Sequence, residues 1–225
     1  MPDLKTSLHL DMWHEYRRSE SLIRRARRVV REMLAPKLYG LEWGDPEVAA
    51  PLRFVRDRYV LPFVNADQTA LEIGPGGGRW TRYLVGFREL NVVDYHTEIL
   101  GELRRTLSLS NMKFVKNNGT DFPGIKARSI DFVFSFGCFV HLDEEIIAAY
   151  VKSIRRVLKP AGNAVIHYSD QSKVMAQINK SFSVNYPEKM RAMVRDAGFH
   201  IVEEDLTTLW HSSIIRFTHY TSPKA

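Results

Sequence analysis

The sequence predicts an α/β fold: a doubly wound, mostly parallel sheet of seven strands, preceded by an N-terminal helical extension. Short apolar segments alternate with helix-like segments, which is typical of a parallel sheet with helices on both faces. Residues 130–135 form a nearly continuous apolar run, as expected of a strand buried on both faces. The last two predicted strands have no obvious helix between them, so the final strand is expected to run antiparallel.

Length and composition fit this fold. The 225 residues suit one domain with a full core, and 44% hydrophobic and 26% charged residues are ordinary for a globular protein. No apolar run reaches membrane-spanning length, and the first residues lack the pattern of a signal peptide. The single cysteine, Cys138, rules out an internal disulfide. We therefore expect a cytoplasmic protein that does not insert into a membrane.

Residues 1 to about 35 are predicted to be helical, with Pro36 as the end of the helix. Apolar residues recur there at helical spacing, and the segment carries much of the net charge of +6. The basic face is either solvated or attracts an anionic partner, such as a phosphate-linked sugar or, less favourably, a nucleic acid. The arginines of this basic face are Arg17, Arg18, Arg24, Arg25, Arg27, Arg28 and Arg31.

We divide the chain into an N-terminal helical extension and lid (1–62) and a cofactor-binding domain (63–225).

The remaining elements follow in order. A turn-rich loop (39–46) precedes a helix ended by Pro62. Residues 159–162 are expected to stop a long helix and turn the chain. The predicted strands are 69–73, 90–94, 113–115, 130–135, 164–167, 201–204 and 214–218. The predicted helices are 52–60, 80–85, 98–107, 144–158 and 188–196.

A glycine-rich turn follows the first predicted strand, with glycines at 74, 76 and 78. Strand, tight turn and helix in this order form the place where α/β sheets bind adenosine-containing cofactors. The spacing is G-x-G-x-G, whereas a dinucleotide fingerprint would need glycine at Arg79. Glu72 precedes the turn, and its charge would repel a pyrophosphate but not an ammonium or sulfonium group.

The segment from Leu71 to Gly78 resembles the first motif of class I S-adenosylmethionine-dependent methyltransferases, and the resemblance extends from about Tyr39 to Tyr220. It implies S-adenosylmethionine as the cofactor and, less specifically, a bacterial enzyme that modifies sugars or secondary metabolites. It also implies Asp94, at the end of the second strand, as the acid that binds the ribose.

The resemblance implies further cofactor contacts. An acid usually faces the adenine amino group; here the matching position is Asn118 or Gly119, and the alternative is that this segment only forms a turn. Ser135 and Phe136 are expected beside the methionine part of the cofactor. The full set of predicted cofactor residues is Glu72, Ile73, Gly74, Gly76, Gly78, Asp94, Tyr95, Asn118, Gly119, Ser135 and Phe136.

Two histidines are candidates for catalysis. His141 follows the fourth strand and precedes acids that suit the start of a helix, and His167 ends the fifth strand. Methyl transfer to a hydroxyl needs a proton acceptor, and an imidazole titrates in the right range. The alternatives are that His141 only holds a loop carbonyl and that His167 is a packed residue at a strand end.

Other residues were weighed for the same site. Cys138 is expected to be a small buried residue and not a nucleophile. Tyr39 and Trp43 are expected either to close over the cofactor as a lid or to pack the extension on the core. Trp210 or His211 could line the rim of the pocket. No set of residues has metal-ligand spacing, so no metal is expected.

The sequence therefore predicts methyl transfer to a small acceptor, either anionic or sugar-like, and most simply to a hydroxyl. Three alternatives stay open: methylation of a small amine, methylation of nucleic acid, and a non-catalytic protein that binds the cofactor. Nucleic acid is disfavoured because residues 135–138 read Ser-Phe-Gly-Cys, where an Asn/Asp-Pro-Pro-aromatic motif would hold a flipped base.

Overall fold

The computed structural model describes residues 40–219, which form a seven-stranded sheet in the order β3-β2-β1-β4-β5-β7-β6. Neighbouring strands from β3 to β5 pair in parallel, and β7 runs antiparallel to both β5 and β6. This confirms the predicted doubly wound sheet with an antiparallel last strand. The strands are β1 (Thr69–Ile73), β2 (Glu89–Asp94), β3 (Met112–Lys116), β4 (Ile130–Ser135), β5 (Leu158–Ser169), β6 (Phe199–Asp205) and β7 (Ser212–His219).

Helices connect the strands, and local sequence explains where they begin and end. Pro51 and Pro187 lie in the first turns of α1 and α6, where a missing N–H has no cost. In α4, acids occupy the first turn and arginines the last, which complements the helix dipole. The helices are α1 (Ala50–Tyr59), α2 (Thr81–Leu84), α3 (Thr97–Thr106), α4 (Glu144–Val157), α5 (Val174–Gln177) and α6 (Pro187–Asp196).

The sheet is buried on both faces. One core cluster joins the sheet to α4 and α6, and includes Tyr150 and Met190. The other joins the sheet to α1, α2 and α3, and includes Tyr59 and Trp80. Helices on both faces leave the carboxyl ends of the parallel strands open at one edge, which is where ligands bind in folds of this kind.

The turn predicted at residues 159–162 is wrong in detail, because α4 ends at Val157 and β5 begins at Leu158. The register on β4 moves from Ile130 to Phe132 while β5 advances from Leu158 to Asn163, so 159–162 form a bulge within the strand. A side chain at Gly162 would lie 2.9 Å from the carbonyl oxygen of Asp131, which explains why glycine occupies this position.

Two further elements differ from the prediction. The helix expected at 80–85 is the single turn α2, and the short helix α5 was not predicted because it is one turn long with an exposed apolar face. Most other boundaries shift by one or two residues. The predicted arginine-rich extension and Tyr39 lie outside the described residues, so the division at residue 62 stays a prediction. Within 40–219, no helix has the length and apolar character needed to cross a bilayer.

Candidate active site

A cavity of about 420 Å³ opens at the carboxyl edge of the parallel strands. Its two halves are named here by their lining residues. The glycine–aspartate half comprises Gly74, Pro75, Gly76, Asp94, Tyr95 and Gly119. The histidine half comprises Phe136, His141, His167, Phe182 and His211.

The glycine turn wraps the end of β1. The Gly74 N–H donates to the carbonyl oxygen of Val93 at 2.9 Å, which ties the turn to β2. Gly74, Gly76 and Gly78 have φ values of 69°, 57° and 98°, in the left-handed region that glycine adopts without strain. A Cβ atom at Gly74 would lie 2.5 Å from Cβ of Cys138, so glycine here also permits close packing against the segment after β4. Gly74 and Gly76 line the cavity, whereas Gly78 does not.

Glu72 lies beneath this turn and is 2% exposed. Its Oε2 atom is buried and has no hydrogen-bond partner among the described residues. Burial raises the pKa of Glu72 to about 8, although the neighbouring Thr81 hydroxyl lowers it in part. Glu72 and the core residue Ile73 do not line the cavity, so an effect of Glu72 on a ligand would be electrostatic.

Asp94 ends β2 and forms part of the cavity wall. Its Oδ1 atom accepts the N–H of His96 at 2.8 Å, which fixes the side chain at the start of α3. The carboxylate lies in the cavity wall, where a ligand can reach it. Burial raises the pKa of Asp94 to about 7. The neighbouring Tyr95 also lines the cavity.

The segment after β3 is organised by Asn117, a residue that the sequence did not single out for the site. Its side-chain amide donates to the Tyr150 hydroxyl at 2.9 Å, and its Oδ1 accepts the N–H of Gly119. Gly119 reaches the cavity beside the Tyr95 ring. Asn118 instead faces solvent, and its Oδ1 accepts from the N–H and hydroxyl of Thr120. Of the two alternatives, the structure therefore brings Gly119 into the cavity wall and leaves Asn118 outside.

The segment after β4 separates the two halves. Ser135 is buried and donates from Oγ to the carbonyl oxygen of Ile73 at 2.8 Å, so it joins β4 to β1 without lining the cavity. Phe136 lines the cavity and stacks on His167, with ring centroids 3.9 Å apart. Cys138 is half-buried and lines the cavity, whereas the sequence predicted a buried residue. Desolvation raises the pKa of its thiol, which keeps the thiol protonated and argues against a nucleophile.

Both ring nitrogens of His167 have partners. The Gly137 N–H donates to Nδ1 at 3.0 Å, so the ring proton resides on Nε2, which lies 2.6 Å from the Ser212 hydroxyl. Burial lowers the pKa of His167 well below its usual range, and the imidazole is therefore neutral at pH 7. This geometry anchors the segment after β4.

His141 is held differently. Its Nδ1 lies 2.9 Å from the carbonyl oxygen of Ser181. Since a carbonyl can only accept, Nδ1 carries the proton and the lone pair of the neutral ring is on Nε2. Burial lowers the pKa of His141, although the Ser181 carbonyl raises it in part. The result is a neutral imidazole, oriented by a backbone carbonyl, in the wall of the cavity.

The loop between β6 and β7 contributes His211, whereas Trp210 is 76% exposed and does not line the cavity. The Lys173 ammonium holds this loop, donating to the carbonyl oxygens of Leu209 and Ser212 at 2.8 and 2.7 Å. The sequence left open whether Trp210 or His211 lines the rim, and the structure places His211 in the cavity wall.

Residues before α1 form one side of the cavity. Trp43 lines the cavity with half of its surface exposed, and Arg79 donates from Nη1 to the carbonyl oxygens of Trp43 and Gly44. Arg79 is 8% exposed, and its guanidinium lies over the Phe136 ring. The sequence analysis did not identify this role of Arg79, because these two carbonyl oxygens lie more than 30 residues away along the chain. In the described part of the chain, no group of three or more His, Cys, Asp or Glu residues is placed to hold a metal ion.

Comparisons with known proteins agree with this fold. Residues 70–162 match the family described as "Methyltransferase domain". An S-adenosylmethionine-dependent methyltransferase from Aquifex aeolicus is 17% identical, covering 76% of this chain and 90% of that one, with a TM-score of 0.59. One from Mesorhizobium loti is 13% identical, covering 76% and 98%, with a TM-score of 0.63.

A third solved structure is the glycopeptide N-methyltransferase MtfA with S-adenosylmethionine. It is 14% identical and covers 75% of this chain and 86% of that one, with a TM-score of 0.58. No curated protein matches the chain. The domain match covers residues 70–162, and the sheet order is that of the class I S-adenosylmethionine-dependent methyltransferase superfamily fold.

The glycine–aspartate half fits the cofactor of this superfamily. The turn at Gly74 and Gly76 presents backbone without side chains, and the Asp94 carboxylate lies in the same cavity wall. Glu72 has a buried carboxyl oxygen without a hydrogen-bond partner. A positive charge nearby, such as that of a sulfonium, would favour the ionised form of this carboxyl group.

Proposed function

We propose that this enzyme transfers a methyl group from S-adenosylmethionine to a hydroxyl of a small molecule, with His141 as the general base. The observation that carries the proposal is the tautomer of His141: the Ser181 carbonyl fixes the proton on Nδ1 and puts the lone pair on Nε2. The cofactor supplies a methyl group activated by a sulfonium. The glycine–aspartate half would hold it through Gly74, Gly76, Asp94, Tyr95 and Gly119.

The proposed role of His141 follows from its electrostatics. An acceptor hydroxyl becomes a competent nucleophile as its proton passes to Nε2, and a ring with a lowered pKa is already unprotonated at pH 7. The Phe182 ring also packs against the imidazole of His141 in an edge-to-face arrangement, with centroids 5.5 Å apart and an interplanar angle of 81°. Positioning of acceptor and donor supplies the rest of the rate enhancement.

We assign His167 a positioning role, because a base needs a lone pair directed at the acceptor. Its Nδ1 lone pair is occupied by the Gly137 N–H, and its Nε2 proton is directed at Ser212. His167 remains the second candidate for the base. The acceptor classes that the sequence suggests are a sugar or a secondary metabolite.

The test is the His141→Ala variant, assayed for methyl transfer to hydroxyl acceptors. Turnover should fall by about 10²–10⁴-fold, the usual contribution of a positioned base. His200→Ala is the matched control, because His200 is exposed on β6 and does not line the cavity. Unchanged turnover in His141→Ala would contradict the proposal. An amine acceptor methylated at the same rate by both variants would favour the N-methylation alternative.

The nucleic-acid and non-catalytic alternatives need separate measurements. Filter binding of single- and double-stranded nucleic acid at physiological salt should show no specific retention, since no base-holding motif follows β4. Binding of S-adenosylmethionine without product from any acceptor would favour the non-catalytic alternative. Turnover that chelators abolish and magnesium restores would contradict the expectation that no metal is needed.

A further inference from the structure

Four large apolar side chains are exposed on two segments next to the histidine half. Val174 and Met175 belong to α5, and Ile178 directly follows this helix. Trp210 lies in the loop between β6 and β7. Single exposed apolar residues are common on protein surfaces, but a group of them beside a cavity indicates a site of contact. We call these four residues the apolar rim.

The apolar rim continues directly into the cavity wall along the chain. Ile178 precedes Asn179, and Trp210 precedes His211; Asn179 and His211 both line the cavity. The Phe182 ring packs edge-to-face against His211, with centroids 5.2 Å apart, so the chain after α5 and the β6–β7 loop meet at the cavity. A ligand that extends out of the histidine half therefore reaches these two segments.

A polar network holds the two segments together. The Lys173 ammonium group, just before α5, donates to the carbonyl oxygens of Leu209 and Ser212 at 2.8 and 2.7 Å. The same ammonium group lies 3.7 Å from the Asp170 carboxylate, which is buried. These contacts fix the loop that carries Trp210 against the start of α5. The apolar rim is therefore formed before a ligand binds, which lowers the entropic cost of binding.

The chemistry of the apolar rim favours a hydrocarbon chain. Residues 171–187 and 206–219, which include the rim, contain no Asp or Glu. A polar extension of the acceptor, such as a second sugar unit, would lose water against these side chains without gaining hydrogen-bond partners from them. A hydrocarbon chain has no such cost and gains from removing apolar surface from water.

Size favours a chain of the acceptor over a protein partner. A standard protein–protein interface uses about 20–30 residues on each side, whereas the apolar rim has four. In the proposed function, the cavity of about 420 Å³ holds both the cofactor and the reacting group of the acceptor. An acceptor with a longer body therefore has to extend out of the cavity, and the wall residues Asn179 and His211 lead onto the apolar rim.

We propose that the acceptor is an amphiphile, with a hydroxyl-bearing head in the histidine half and a hydrocarbon chain that lies along the apolar rim. This inference deepens the proposed function and rests on it for the reaction. A chain on a surface is covered on one side, so each added CH₂ group should strengthen binding about twofold, less than the roughly fourfold of full burial.

The first experiment varies the length of the chain. Methyl, butyl, hexyl and octyl members of two series, n-alkyl β-D-glucopyranosides and n-alkyl 4-hydroxybenzoates, are titrated by calorimetry into the enzyme saturated with S-adenosylhomocysteine. Each probe stays below its critical micelle concentration. In at least one series, affinity should rise about 100-fold from methyl to octyl. Equal affinity along both series, or no binding in either, would overturn the proposal.

The second experiment tests the apolar rim itself. Val174→Ser and Trp210→Ser should each lower the ratio of octyl to methyl affinity about 3- to 10-fold. Val48→Ser is the matched control, because Val48 is 74% exposed, close to the 70% of Val174, and does not line the cavity. A ratio that both rim variants leave unchanged, or that Val48→Ser lowers equally, would overturn the assignment of the chain to this surface.

Two further measurements test other occupants of the apolar rim. A dimer in sedimentation velocity that Val174→Ser dissociates would assign the rim to a second copy of the chain. Flotation with phosphatidylcholine–phosphatidylglycerol vesicles that Trp210→Ser abolishes would assign it to a bilayer surface. Either result in place of the dependence on chain length would overturn the proposal.

Failure of this inference can be told from failure of the proposed function. Binding that depends on chain length, without methylation of any probe, would support the amphiphile and contradict only the proposed function. Methylation of the methyl members with the same kcat/KM as the octyl members would overturn the amphiphile and leave methyl transfer to a hydroxyl intact.

Discussion

The two halves of the cavity are built in different ways. The glycine–aspartate half uses backbone and strand ends: a glycine turn after β1, Asp94 at the end of β2 and Gly119 after β3. The histidine half uses side chains whose orientation is set by partners far along the chain. His141 depends on a carbonyl 40 residues away and His167 on a hydroxyl 45 residues away. The first half is a property of the fold, whereas the second belongs to this chain.

This difference implies that binding of the cofactor and activation of the acceptor respond to different substitutions. Asp94→Asn keeps an oxygen for the His96 N–H but loses the charge that strengthens hydrogen bonds to ribose. We expect the affinity for S-adenosylmethionine to fall about 10- to 150-fold, equivalent to about 1.5–3 kcal/mol. Calorimetry measures it, with Asp67→Asn on an exposed loop as the control. Full affinity in Asp94→Asn would remove Asp94 from the cofactor site.

The glycine turn is tested by Gly74→Ala. A methyl group there would meet Cβ of Cys138 at 2.5 Å in a left-handed backbone conformation, so the free energy of unfolding should fall by about 1–3 kcal/mol. Gly101→Ala is the matched control: Gly101 lies in α3, with no atom within 4 Å of an added Cβ. That change should stabilise by about 0.5–1 kcal/mol. Urea denaturation that shows equal effects at both positions would contradict the packing described for Gly74.

His167→Phe compares the two histidines directly. Phenylalanine can keep the stack on Phe136 but leaves the Gly137 N–H without its acceptor, so we expect a loss of about 1–3 kcal/mol in unfolding free energy. We expect kcat to fall by less than about tenfold, below the usual range for a lost base. A fall of a hundredfold or more, with cofactor affinity intact, would exchange the roles of His167 and His141.

The two halves of the cavity also differ in how well the sequence predicts them. The G-x-G-x-G turn and Asp94, twenty residues after its first glycine, are local patterns, and the structure brings both to one cavity. The contacts of the Ser181 carbonyl with His141 and of the Ser212 hydroxyl with His167 depend on how α5 and the β6–β7 loop pack, which no local pattern encodes. The bulge in β5 was missed for a related reason, since Pro160 and Gly162 are typical of a turn.

The smallest expected effect concerns Glu72. Its pKa is 4.5 in an unfolded chain and about 8 when buried, so between these values the folded enzyme holds a proton that the unfolded chain has lost. The free energy of unfolding of the unliganded enzyme therefore receives a contribution that decreases as the pH rises through this range. Glu72→Gln cannot ionise, and its stability should fall less from pH 5 to pH 8 than that of the wild type. Parallel curves in urea denaturation would show that Glu72 does not titrate as described.

The most direct test of separate halves is the affinity of His141→Ala for S-adenosylmethionine, measured by titration calorimetry beside Asp94→Asn. His141 is oriented by the Ser181 carbonyl, and we assign it to the histidine half of the cavity. We predict that His141→Ala binds the cofactor within about twofold of the wild type, a difference of about 0.4 kcal/mol, while Asp94→Asn binds it at least about tenfold more weakly. A loss in His141→Ala as large as that in Asp94→Asn would show that the two halves form one cofactor site, and would contradict the assignment of His141 to the acceptor.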